Sequence, residues 1–97
     1  MSNDITRYVV TVSFHEQALT ELNELTNHLT RAGFTLTLTD DDGKLHELGT
    51  NTFGLVSPLS HDDVIALTAG LAQSALGREA EVSVATFEHW LAENAAP

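Results

Sequence analysis

Among the side chains of this 97-residue sequence that could move a proton or meet a phosphate, His28, Arg31 and His46 are the catalytic candidates. Cleaving a phosphodiester through the neighbouring ribose hydroxyl requires a proton acceptor, a proton donor and a cation for the charge that develops on phosphorus. His28 and Arg31 are three apart in a helical stretch, so they share a face, and they are the first candidates for that chemistry with His46. Cations to hold a nucleic acid are scarce. Arg7, Arg31 and Lys44 are the candidates for RNA contact, and Arg78 is the only other.

Three consecutive acids, Asp40, Asp41 and Asp42, lie close to His46 and could be drawn as a hard-cation site. Their spacing matches no established metal loop. A solvated turn is the expected role, because aspartate bonds its own backbone in turns. The five histidines, His15, His28, His46, His61 and His89, are scattered singly without the i, i+4 pairing of a helical metal site, and surface or capping roles account for most of them. No glycine-rich phosphate loop, nucleophile elbow or zinc signature is present. Neither a metal nor another cofactor is expected.

The composition narrows the partners. Fourteen acids against four Lys and Arg give a formal charge of −10, which repels phosphate backbones and anionic lipid, so DNA and membranes are not expected partners. The absence of cysteine excludes disulfides and thiolate chemistry. The polar start Met1-Ser-Asn-Asp lacks the layout of a signal peptide, and no apolar run approaches the length of a membrane span; the expected location is the cytoplasm.

The elements that must position these groups follow from hydrophobic periodicity. Residues 6–14 alternate, with Tyr8, Val10, Val12 and Phe14 inward; residues 15–32 change to spacings of three and four, with Ala18, Leu22, Leu25 and Leu29 on one stripe, and Gly33 ends the helix. Phe34, Leu36 and Leu38 alternate with threonines as a second strand. The stretch from Asp40 to Phe53, with Asp42-Gly43 as its turn, then sends the chain back through Lys44 to Leu48 and a kink at Gly49 to Asn51 into a strand from Thr52 to Val56. Ser60 is placed to cap a second helix with Val64, Leu67, Leu71 and Ala75 inward and Gly77 as its stop. A last strand carries Ala80, Val82 and Val84, and Thr86 caps a short helix whose Phe87, Trp90 and Leu91 are expected to clasp the body.

This order predicts one α+β domain over residues 1–97, ordered from about 6 to 92, in the ferredoxin-like βαββαβ arrangement: a four-stranded antiparallel sheet, both helices on one face, and a short C-terminal helix. The opposite face would show Val9, Thr11, Ser13, Thr35, Thr37, Gly54, Val56, Ser83 and Ala85, with no aromatic on which to stack a base. Such a flat, small-residued face is a docking surface for a second sheet, another protein or the terminal helix, and a homodimer through it is one expectation.

Several residues in series carry a family likeness: Tyr8-Val9-Val10, Phe34, Asp40-x-x-Gly43, Leu48-x-x-Asn51-x-Phe53, Leu59, and Thr86 leading to Trp90. In these the chain resembles the GhoS family, small ferredoxin-like antitoxins of type V toxin and antitoxin systems, related in fold to Cas2 ribonucleases. The resemblance implies an endoribonuclease that cuts the messenger RNA of a small membrane-active toxin. Two features depart from it. Where ribonuclease members carry arginines in the middle of the first helix, residues 21–27 here hold acids and amides; where Cas2-like enzymes carry an aspartate near the end of the first strand, this chain reads Ser13-Phe14-His15-Glu16. The alternative expectation is a noncatalytic acidic module for protein interaction or dimerisation.

Overall fold

The computed structural model describes residues 5–13, 19–49, 51–77 and 79–94; Phe14, His15 and Arg78 lie outside them. The central strand β1 (Thr6–Ser13) pairs antiparallel with β4 (Thr52–Ser57) on one side and with β5 (Glu81–Thr86) on the other. On one face of this sheet, Tyr8, Val10 and Val12 meet Phe53 and Leu55 of β4. The helices α1 (Leu19–Arg31) and α2 (His61–Leu76) close over them with Leu25, Leu29, Val64 and Ala72. The strand and helix periods of these residues put their apolar atoms on a common side, and burial of each large side chain contributes about 1.5–3 kcal/mol.

Helix ends follow the residues expected of them. Ser60 Oγ accepts the Asp63 N–H at 3.2 Å, and Gly77 closes α2 in the left-handed region at φ 71°. Thr86 Oγ1 accepts the His89 N–H at the start of α3 (Phe87–Asn94). On α2 the inward stripe is Val64, Thr68 and Ala72, whereas Leu67, expected inward, is 39% exposed.

The four-stranded sheet is a correction. The chain forms a three-stranded sheet, β4-β1-β5, and a separate two-stranded hairpin of β2 (Thr37–Thr39) and β3 (Leu45–Glu47). Only Thr35 pairs with β4, exchanging two backbone hydrogen bonds with Gly54 at 2.8 and 2.7 Å. Beyond it the Thr35 hydroxyl donates to the Thr37 carbonyl at 2.8 Å, turning the chain off the sheet edge. Phe34 and Leu38, expected on one face, therefore part company: Phe34 joins the helix-covered core, while Leu38 lies with Val9, Leu48 and Phe87 on the other side, and Leu36 between them is half exposed.

Consequently the sheet face expected to be open is occupied around Val9. Leu38 and Leu48 of the hairpin and Phe87, Trp90 and Leu91 of α3 pack there, so the terminal helix is an occupant among the three foreseen and leaves Val9 3% exposed. Gly54 makes the overlay possible, since Leu38 sits where its Cβ would be.

Candidate active site at the hairpin

The acid turn is the root of the site. Gly43, at φ 83°, lets residues 40–44 close, with the Asp40 N–H donating to the Lys44 carbonyl at 2.9 Å. One Asp40 oxygen, Oδ1, accepts the backbone N–H groups of Asp42 and Lys44, each at 2.9 Å. Its other oxygen, Oδ2, lies 2.8 Å from Nε2 of His46. A carboxylate only accepts, so Nε2 carries the proton, and in the neutral ring the lone pair is on Nδ1. The His46 contact, then the Lys44 amide, holds the Asp40 carboxyl below its ordinary 3.8, with the Asp42 amide adding to this.

Aromatic rings wall the pair on one side. The His46 ring meets Phe87 edge-on at 5.7 Å and Trp90 at 6.1 Å, and Phe87 and Trp90 are stacked. Arg7 of β1 lies over Phe87 at 5.1 Å, donates to the Thr39 carbonyl and pairs with Asp41, both at 2.9 Å. The His46 and Asp40 side chains keep 21% and 17% exposure, enough for a ligand to reach them from solvent.

Of the residues singled out in the sequence, the hairpin gathers Arg7, Lys44 and His46 at one end. His28 and Arg31 are on α1, across the sheet from His46; His28 Nδ1 lies 2.9 Å from the Glu24 carbonyl, and Arg31 is exposed in the last helical turn. The triplet does not converge: both Asp40 oxygens are engaged, Asp41 pairs with Arg7, and among the described residues no three His, Asp or Glu side chains stand together. His61 donates through Nε2 to the Val84 carbonyl, tying the start of α2 to β5, and His89 lies near Glu93 one helical turn on.

Sequence reasoning did not find Asp40 as the partner of His46, although strand alternation contains it. With Thr39 opposite Leu45, residues 38, 40, 44 and 46 project to one face of the hairpin, and Asp40 and His46 become diagonal neighbours.

Fold and site together define a small α+β domain in which an antiparallel hairpin, laid against a three-stranded sheet and a terminal helix, presents an Asp–His pair beside two cations. The chain belongs to the GhoS family: residues 1–93 match the family described as Endoribonuclease GhoS. Two similar relatives are both described as Uncharacterized protein YdiZ, from Escherichia coli K12 and from Escherichia coli O157:H7. Each is 56% identical over 89 residues, covering 92% of this chain and 93% of the relative.

Proposed function

We propose that this protein is a cytoplasmic GhoS-type antitoxin, an endoribonuclease that cuts the messenger RNA of a small membrane-active toxin without a metal ion, at the Asp40–His46 pair. The family match across residues 1–93 carries the reading. The fold is then a ferredoxin-like, Cas2-like frame whose fourth strand has shrunk to the Thr35–Gly54 bridge.

In this mechanism Nδ1 of His46 takes the proton of a ribose 2′-hydroxyl. The freed oxygen attacks the adjacent phosphorus, the bond to the 5′-oxygen breaks, and that oxygen leaves with a proton from solvent or from the imidazolium. Asp40 holds Nε2–H, which orients the ring and stabilises its charged form. Lys44 and Arg7 offset charge on the phosphoryl oxygens.

One observation favours the second reading, an acidic interaction module without catalysis. Arg7 is committed to Asp41 and Thr39, which leaves phosphate poorly supplied with free cations.

A transcript of a neighbouring gene for a short hydrophobic peptide is the substrate to test, with and without EDTA. The expected result is discrete cleavage in both conditions, lowered roughly 100-fold or more in His46→Gln and unchanged in the His28→Ala, Arg31→Ala double variant. Cleavage at the full rate in His46→Gln, or its loss with EDTA, refutes the assignment. Intact RNA at high protein concentration, with self-association in sedimentation, supports the interaction module instead.

A further inference from the structure

Where the chain leaves β4 after Thr35, a groove opens between α1, the hairpin, Gly49 and Asn51, with a volume of about 500 Å³. That falls within the roughly 300–1,000 Å³ of sites that hold a ligand. We infer that this groove docks a segment of a partner protein that carries apolar side chains beside a lysine or arginine. The inference is independent of RNA cleavage at His46.

The groove's chemistry selects this partner. Leu22, Leu36 and Phe53 give it an apolar lining, and Leu36 is 49% exposed at its side. Thr26, Thr37 and Asn51 stand around it as hydrogen-bonding groups for a peptide backbone; Asn51 uses its Nδ2–H on the Val12 carbonyl, which leaves its carbonyl oxygen to accept from a partner. The single charged lining residue is Glu47, on the hairpin face opposite His46, and none of the described lining residues is a cation. A phosphate chain would meet one carboxylate and no compensating charge there. A cationic side chain meets Glu47 and is drawn in by the chain's total of −10.

The test uses the whole chain, labelled with nitrogen-15, titrated with the capped peptide Ac-Leu-Lys-Leu-Arg-Leu-NH2, with Ac-Leu-Glu-Leu-Glu-Leu-NH2 and with a short single-stranded RNA. The basic peptide is expected to shift the amides of residues 22, 26, 36, 37, 47, 49, 51 and 53. Glu47→Gln, at an exposed position, should keep the native spectrum and weaken binding about two- to fivefold, the range of an exposed ion pair. Leu36→Ser should weaken it severalfold, and both losses should persist when RNA is absent. Equal shifts from the acidic peptide, unchanged affinity in Glu47→Gln, shifts centred away from the groove, or a stronger response of the same amides to RNA would each overturn the inference.

Discussion

Replacing Gly54 by alanine tests the contact on which the hairpin's placement depends. A Cβ at residue 54 would fall 2.6 Å from Leu38 Cγ, 2.9 Å from Leu38 Cδ2 and 2.9 Å from Thr35 Oγ1. Leu38 cannot retreat freely, because it is buried among Val9, Leu48 and Phe87, and moving the Thr35 hydroxyl disturbs its bond to the Thr37 carbonyl. Overpacking of this kind costs about 1–3 kcal/mol. Alanine's smaller loss of backbone freedom returns about 0.5–1 kcal/mol, so the net destabilisation is about 0–2.5 kcal/mol, centred a little above 1 kcal/mol. For a domain of this size each kcal/mol lowers Tm by about 4–8 °C, read by circular dichroism on heating. Leu38→Ala alone should cost about 2–5 kcal/mol as a cavity. In the double variant the new methyl has room, and the combined cost should fall short of the sum by about 0.5–3 kcal/mol. A Gly54→Ala protein more stable than the parent, or strictly additive costs, would refute the placement of Leu38 over β4.

Asp40→Asn should lower stability at neutral pH. Because the folded carboxyl titrates below its ordinary 3.8, the charged group's contribution is fully present above that value and lost as pH falls through the folded one; the gap between parent and variant in urea denaturation should therefore close in acid and stay open at pH 7. A gap independent of pH would contradict the Asp40–His46 bond. Thr68 Oγ1 is fully buried on α2 without a hydrogen-bond partner. Thr68→Val, which keeps the shape, should raise stability by about 1 kcal/mol, measured as a higher urea midpoint with unchanged slope, and a loss of stability would show that the hydroxyl is satisfied.

Much of this fold is legible locally. Tyr8 to Val12, Ser60, Gly77, Asp42-Gly43 and Thr86 each state their structure within four or five residues, by alternation, capping or turn chemistry. The departure of β2 from the sheet is not local. It couples the Thr35 hydroxyl to the missing side chain of Gly54, nineteen positions away, and it sends Leu38 to the face opposite Phe34 against the simple alternation of residues 34, 36 and 38. The site divides in the same way. His46 and the cations can be chosen by residue type, but Asp40 becomes the histidine's partner only once the hairpin register is known. Phe87 and Trp90 become its wall only once α3 is seen to cross the sheet.

On the proposed function, the same register would let an acidic chain offer a place to phosphate. The total of −10 describes the whole surface, but the hairpin tip holds Asp40, Asp41 and Asp42 with Arg7 and Lys44, three negative charges against two positive, or −1 with His46 neutral. Two of those acids are already spent, Asp40 on two amides and a histidine and Asp41 on Arg7. An incoming phosphate at this end therefore meets Lys44 and the His46 ring against one uncommitted carboxylate, Asp42, and Arg7 can exchange an exposed aspartate for it at little cost, since such pairs contribute about 0–1 kcal/mol. On the hairpin's other face Glu47 stands with no cation among the described residues that line the groove, and the attraction reverses. Alternation along three residues of β3 thus puts His46 and Glu47 on opposite sides of a single ribbon, and under the two proposals above anions would be drawn toward the first and cations toward the second.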